Sequence, residues 1–417
     1  MNTYVMIARH LGKVSGEKIY CNNKLRYMVS QGWRVFFLSG KHESTLVDDS
    51  PLYTMYSNPM LSYTPEIYSK WAVEHTLRKI TSLIGNVQND LCIIESDSVN
   101  RGVWGELIAK RIGAQHFMFL LQEKHNYPQT TKQFLRYKYD RHELAGITTR
   151  SISLMLGDDS VEQREDTTIR AFCTNVVEDC ADTISPQLLK DATFTFGSIG
   201  RLDKGCVDPI LQGIKTYAGV HKDEKFNLVL IGGATGPQKI REIREGFRDN
   251  SNIHLIITGY MYPIPITLIN SIDLFISTAG SALVSFRCHR PTIKVHPTTG
   301  DPVGILGLGS SENKMMYEIM PDVSIYECIE KAISELDQID YWDDSYADYE
   351  AIMSKEFERQ ISFANREKEK VYYDERQLIK IKPTHIKNHK LHRIVGHLAG
   401  AKALDLFVIL YKKTCGV

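Results

Sequence analysis

The chain lacks several things at once, and each absence removes a class of function. It has no run of roughly 18 uninterrupted apolar residues, so no membrane-spanning helix is predicted. Its first residues, MNTYVMIARHLGK, are too briefly apolar for a secretory signal. None of the eight cysteines forms a CxxC pair or joins histidine at zinc-ligand spacing. Cys92, inside an apolar run, reads as a small core residue, and the overall usage fits a reducing cytoplasm. Net charge is missing too. Fifty Lys and Arg cancel fifty Asp and Glu, so no nucleic-acid partner is expected.

What is present points to a soluble α/β protein. A length of 417 residues is more than one core holds and suits two domains. The most informative stretch runs from Thr193 to Val303. Three times a short β-branched or aromatic run breaks at Gly or Ser and enters a helical pattern: FGSIGRLDKG (Phe196–Gly205), LVLIGGATG (Leu228–Gly236) and DLFISTAGSALVSF (Asp273–Phe286). Such runs read as parallel strands buried on both faces. Glycine lets backbone N–H groups come close to a ligand, and a helix N-terminus offers unpaired donors to phosphate. The pattern predicts a nucleotide-binding α/β domain with its ligand at the carboxyl ends of the strands.

The N-terminal half alternates in the same way. Strands are predicted at Thr3–Ala8, Arg34–Leu38, Leu91–Ile94, His116–Leu121 and Gly146–Thr149, with helices between them and loop from Lys41 to Ser50. The acidic, turn-rich segment Glu178–Asp191 reads as a linker. The expected organisation is an N-terminal Rossmann-like domain over 1–180, a second over 190–345, and helices with a basic tail over 346–417.

Several of these segments resemble one family. SGEKIYCNNKLRYMVSQGWRVFFLSG looks like the first loop, helix and second strand of GT-B glycosyltransferases of the group-1, family-4-type class. FGSIGRLDKG resembles the motif that opens their donor domain, and NLVLIGG resembles its second strand and glycines. NIHLIITGYMY followed by INSIDLFIST, and then RPTIKV, match later donor-domain blocks in the same order. The family's two glutamates are absent: Val284 and Ile276 stand where they would fall. The segment STAGSALVSFRCHRPTI and the following TGDPVGILGLGSSEN instead look like the variant found in bacterial capsule and exopolysaccharide sugar transferases.

The resemblance implies two Rossmann-like domains facing across a cleft, an acceptor side in the first and a donor side in the second. It implies transfer of a sugar from a nucleotide-diphosphate donor, a UDP-sugar first of all, to a glycan or lipid-linked acceptor in surface polysaccharide assembly. No cofactor and no metal are expected. Arg201 and Lys204 are the diphosphate cations by this resemblance, placed to stabilise the charge that grows on the leaving group. Gly200, Gly232 and Gly233 supply the close turns. Gly280, Ser281 and Ala282 open a helix toward the same phosphates, and Gly259 and Tyr260 lie against the base. Ser15 and Gly16 fall under the donor sugar, while Glu123 and His125 end a strand and point to the sugar. His10 is a further candidate. Each has a plainer reading as a turn, a cap or a loop residue.

Three other readings remain open from sequence. Glu95-Ser96-Asp97 imitates the acid-x-acid motif by which GT-A transferases hold a divalent cation. A nucleotide-sugar epimerase of the same fold would isomerise the donor. A degenerate transferase would act as a non-catalytic partner subunit, and the absent glutamates favour that idea. The tail is distinctive as well: from Gln377 onward eight Lys and Arg face Asp405 as the lone acid, with apolar residues at helical spacing from Leu391 to Tyr411. A basic amphipathic segment over 380–417 suits an anionic membrane surface, on the inner face of the cell membrane, or a helix docked on the protein body.

Overall fold

The computed structural model describes the chain except residues 9–15, 43–44, 88–89, 122–126, 163, 174, 181–188, 190, 235, 310–321, 342–345, 365–369, 384–388 and 416–417; at 346–349 and 409–415 it describes the backbone alone. The chain forms two compact units. One comprises Met1–Gly12, Tyr20–Phe172 and Met353–Val417, the other Lys13–Ile19 and Cys173–Ile352. Each is built on a Rossmann-like sheet, as the sequence leads one to expect.

The first unit carries a six-stranded sheet of β1 (Thr3–Ile7), β2 (Arg34–Ser39), β3 (Tyr53–Ser57), β4 (Cys92–Ser96), β5 (Gln115–Leu120) and β6 (Leu144–Gly146). The order is β3-β2-β1-β4-β5-β6, and every pairing is parallel. Helices α1 (Gly16–Ser30), α2 (Lys70–Ile84), α3 (Val99–Ile112), α4 (Gln129–Asp140) and α5 (Thr149–Leu156) connect the strands. The strands are apolar and buried almost throughout, because helices cover both faces of a parallel sheet. β3 is not among the strands expected from sequence; it is an edge strand with a partly exposed, polar-aromatic sequence.

Two clusters of buried charge sit inside this unit. Lys24 of α1 is about 1% exposed, and its Nζ donates to Gln360 Oε1 at 2.6 Å and lies 3.8 Å from Glu95 Oε2. Burial lowers the Lys24 pKa to about 8, against the opposing pull of Glu95 and Glu356. The same burial raises the Glu95 carboxyl, which accepts from the Tyr4 hydroxyl and lies 3.0 Å from that of Tyr20. Glu95 is therefore committed inside the protein, which overturns the acid-x-acid reading of Glu95 and Asp97 as an open cation site. Among the described residues no group of His, Cys, Asp and Glu is arranged to hold a metal ion.

In the second cluster Lys138 Nζ donates to Glu106 Oε2 at 2.8 Å, to Glu143 Oε2 at 2.6 Å and to the His116 carbonyl at 2.9 Å. His116 Nδ1 lies 2.7 Å from Glu106 Oε2, and its Nε2 lies 3.1 Å from Ser96 Oγ. Burial opposes ionisation of Glu106, but Lys138 and His116 together hold its carboxyl well below the usual range. Gly105 leaves the room this relay needs, since a Cβ there would fall 2.5 Å from both the His116 ring and Ser96 Oγ.

The C-terminal segment packs onto the first unit. Phe357, in α11 (Tyr346–Ala364), is fully buried among the rings of Tyr20, Tyr27 and Phe172, with Lys24 Nζ 4.6 Å from its centroid. Leu378, in α12 (Glu375–Leu378), and Ile381 complete the core. In α13 (His389–Cys415), kinked at Gly400 with φ 74°, Leu404 is buried while Val395, Ala401 and Val408 pack on the same core. His389 and Arg393 reach Glu66 at 2.6 and 3.3 Å. The docked reading of the tail thus holds for one face; Leu391, Ile394, Leu398 and Leu406 remain exposed.

The second unit holds another six-stranded sheet: β8 (Phe194–Ile199), β9 (Phe226–Ile231), β10 (Ile253–Ile257), β12 (Leu274–Thr278), β13 (Thr292–Val295) and β14 (Pro302–Ile305), in the order β10-β9-β8-β12-β13-β14. All pairings are parallel except β13–β14. A separate ribbon pairs β7 (Val177–Glu178) with β11 (Ile264–Pro265), so the start of the expected linker is already part of this unit. The connecting helices are α6 (Val207–Val220), α7 (Pro237–Gly246), α8 (Ile266–Asn270), α9 (Ala279–Arg287) and α10 (Ile325–Ser334).

The Lys24–Glu95 pair gives a test of what buried charge contributes to this unit. Lys24→Met leaves a buried carboxylate without its cation and is expected to cost about 3–5 kcal/mol in denaturant unfolding. Lys24→Met with Glu95→Gln removes both charges and should recover most of that loss. Equal destabilisation by the single and double variants would show that the pair contributes only volume.

Candidate functional site

Strand order reverses between β8 and β12. The chain winds outward from β8 through β9 to β10, then returns to place β12 on the other side of β8. Loops leaving the carboxyl ends of β8 and β12 therefore diverge, and such a reversal is where open α/β sheets bind ligands. Ser277 Oγ accepts the Ile199 N–H at 3.0 Å and ties the two strand ends together.

Three turns converge at this edge. The Gly200 N–H donates to the Ile231 carbonyl at 3.0 Å, and the Leu202 N–H to the Gly233 carbonyl at 2.9 Å. A Cβ on Gly232 would lie 1.8 Å from the Gly200 carbonyl oxygen, and one on Gly233 would lie 2.7 Å from the Tyr260 ring. No side chain fits at either place, so the two glycines set the packing of the turns. Gly200 has φ 148°, and its missing Cβ would come within 4.0 Å of Ser281 Oγ. The edge thus gathers Gly200, Gly232, Gly233, Tyr260 and Ser281 from four separate sequence motifs.

Helix α9 begins directly at the end of β12. Its N-cap, Thr278, makes no side-chain cap bond, and Gly280, Ser281 and Ala282 form the first turn. The first N–H groups of a helix have no intrahelical acceptor and carry the positive end of its dipole. Ala282 is fully buried and can contribute only through its backbone. Ala279 has φ 47°, a conformation costly for any residue with a Cβ. The Thr278 and Tyr260 hydroxyls are buried without a hydrogen-bond partner among the described residues. Buried hydroxyls are normally satisfied, so these two mark a place where a ligand can complete the bonding.

The cations lie on the turn after β8. Arg201 is about half exposed, with Nε 3.7 Å from Asp203 Oδ1. Burial holds the Lys204 ammonium below its ordinary pKa; Cys206 and Asp203 oppose that shift and Arg201 adds to it. Burial raises the Tyr260 phenol, Asp203 raises it further, and Arg201 pulls the other way, so these three groups share one electrostatic neighbourhood. The sequence reading missed Asp203, Thr278 and Ala279. Asp203 stood inside the quoted FGSIGRLDKG motif as its one acid; a left-handed alanine leaves no trace in sequence.

Gly259, φ 78°, follows β10 and needs glycine's freedom for its turn. Gly16 opens α1 beside Cys173, where a Cβ would lie 3.1 Å from the Cys173 Cβ. Ser15, Glu123, His125 and His10 lie outside the described residues. The assembled edge offers a half-exposed guanidinium, a second cation, helix N-terminal donors and unfilled hydroxyls around backbone with no side-chain bulk. It is chemically suited to a phosphate or diphosphate attached to a hydroxylated group.

No protein-family model and no curated protein matches the chain. Among solved structures it is similar to Anabaena HepE in complex with UDP and glucose, with a TM-score of 0.55 and 12% identity over 88% of this chain and 98% of that one. It is equally similar to a glycosyltransferase from Rickettsia africae, with a TM-score of 0.55 and 14% identity over 99% of both chains. HepE in complex with UDP-glucose gives a TM-score of 0.52 at 13% identity, over 87% of this chain and 98% of that one. At these identities the likeness establishes a shared two-domain α/β fold.

The strain at Ala279 can be measured directly. Ala279→Gly is expected to leave stability unchanged or raise it by up to about 1 kcal/mol, because the relieved left-handed penalty exceeds the added chain entropy. Ala279→Val should lose about 1–2 kcal/mol, since branching at Cβ worsens the same clash. Chemical denaturation of both variants checks this; a valine variant as stable as the parent would contradict it.

Proposed function

We propose that the protein is a glycosyltransferase that takes a sugar from a nucleotide-diphosphate donor, with a UDP-sugar as the first candidate, and delivers it to a glycan or lipid-linked acceptor in surface polysaccharide assembly. The observation that carries the reading is the convergence of Gly200, Gly232, Gly233, Arg201 and the first turn of α9 at the β8–β12 reversal. The donor side would be the second unit and the acceptor side the first. The fold shared with HepE, solved with UDP and with UDP-glucose, and with the Rickettsia glycosyltransferase agrees with this reading.

The chemistry needs negative charge on the leaving diphosphate to be stabilised as the glycosidic bond breaks. Arg201 supplies a planar fork of donors, and α9 supplies oriented N–H groups that do not reorganise during the reaction. Lys204 adds a second cation, and its partial burial strengthens its field at the edge. In this reading chain cations do the work that a divalent ion does in other transferases, so activity should survive a chelator. The Thr278 and Tyr260 hydroxyls would complete their bonding on the nucleotide, where the family's glutamates are absent.

The tail belongs to the same proposal. Leu391, Ile394 and Leu398 recur on one face of α13, with Leu398 83% exposed, and Lys390 and Lys402 lie nearby in sequence. No helix among the described residues is long and apolar enough to cross a membrane. A basic, apolar outer face on a docked helix suits peripheral attachment to an anionic, cytoplasm-facing membrane surface.

Arg201→Ala is expected to lower transfer turnover about 100-fold or more while leaving the unfolding transition in place, with Arg201→Lys recovering only part. Nucleotide release from UDP-glucose and other UDP-sugars, with and without a glycan acceptor, provides the assay. Full transfer by a folded Arg201→Ala protein would remove the assignment, and acceptor-independent isomerisation of the sugar would identify an epimerase instead.

For the tail, Leu398→Glu with Ile394→Glu should abolish co-sedimentation with phosphatidylglycerol vesicles at low salt without changing the folded state. Each basic residue near such a surface contributes about 1 kcal/mol, so binding by the parent should weaken as salt rises. A parent protein that ignores these vesicles would rule out the attachment.

A further inference from the structure

The first unit has an open surface groove of about 850 Å³ built by α4, the end of α5 and the segment running through α12. None of these elements contributes to the β8–β12 edge. Its size lies within the range of small-molecule sites. Its lining is dominated by long polar side chains: Lys132, Gln133, Arg136, Tyr373, Gln377 and Lys380.

Charge and hydrogen bonding define what would fit. The lining holds three cations and one acid, Asp158, which is already paired with Arg136. Lys132 and Lys380 have no ion-pair partner among the described residues. A concave surface with excess charge of one sign concentrates counter-charge more than a flat one. Among the described residues Gln133 has no side-chain partner, and Gln377 accepts the Tyr373 hydroxyl at 3.0 Å while its amide N–H groups donate to none of them. Amides that both donate and accept match vicinal hydroxyls, which also do both. The Tyr373 ring, packed edge-on against Phe134 and Tyr137, is held rigidly at the wall.

We propose that this groove is a binding site for an acidic saccharide, holding its carboxylates on Lys132 and Lys380 and its hydroxyls on Gln133 and Gln377. It rests on the reading of the protein as a glycan-extending transferase, for which the groove would hold a stretch of anionic polymer. A single-stranded nucleic acid fits less well, because that ligand class needs several stacking platforms along a basic track and the groove offers one tyrosine.

The full chain is titrated calorimetrically with oligogalacturonate, with a neutral maltooligosaccharide of the same length, with inorganic phosphate and with a single-stranded oligonucleotide. Oligogalacturonate is expected to bind, to weaken as salt rises, and to lose about tenfold in affinity in the Lys132→Gln, Lys380→Gln variant. UDP affinity, measured on the same variant, should be unchanged and certifies its folding. Equal binding of the neutral sugar, phosphate binding as tight as the oligosaccharide, tighter binding of the oligonucleotide, or unaltered affinity in the variant would each overturn the proposal. Acidic-sugar binding is read without UDP, so failure of the donor site and failure of the groove are separate results.

Discussion

The carbonyl of Gly200 and the backbone of Gly232 come so close that no side chain could stand between them. Everything proposed for the second unit depends on that approach. It brings the turn after β8 against the turn after β9, sets Tyr260 over Gly233, and leaves the first turn of α9 facing the same space. The first turn of α9 offers main-chain donors to that space. The cations then add charge to a geometry already fixed, and Asp203 moderates the Arg201 field it shares.

The first unit is organised by buried charge instead. Lys24 and Lys138 are both almost wholly enclosed, and each is surrounded by acceptors from distant parts of the chain. Gln360 and Glu356 of α11 serve the first; the Tyr373 N–H, which donates to Glu106 Oε1 at 2.8 Å, connects to the second. Buried ions tolerate few alternative arrangements, because every misplacement leaves a charge unpaired. The C-terminal segment is thus fixed in register on this unit by polar bonds as well as by Phe357, Leu378 and Leu404.

Much of this architecture was legible in sequence, and the exceptions share a cause. Strands such as Leu228–Ile231 and Phe117–Leu120 announce themselves because both faces are buried and every residue is apolar. β3 does not, because YTMYS is an edge strand with only one side covered. The glycine turns were readable because glycine carries its own backbone signature; Arg201 and Lys204 adjoin those turns, and their role comes from the resemblance alone. The acid-x-acid alternative at Glu95 could not be closed from spacing: spacing gives the strand but not the partners, and its partners Tyr4, Tyr20 and Lys24 are supplied by β1 and α1. The tail offered the same difficulty in reverse. Apolar residues lie all around α13, so periodicity alone could not say that Leu404 faces the core while Leu398 faces solvent.

The first unit is discontinuous: its sheet is encoded before residue 173, yet its core also requires residues after 352. Synthesis delivers those pieces far apart in time. The second unit, apart from Lys13–Ile19, is contiguous from Cys173 to Ile352 and emerges complete while the first still lacks Phe357, Leu378 and Leu404. On the ribosome the half of the protein that begins first is therefore the half that finishes last. Until it does, the apolar surface that α11 and α13 later cover stands open, a natural target for chaperones during that interval.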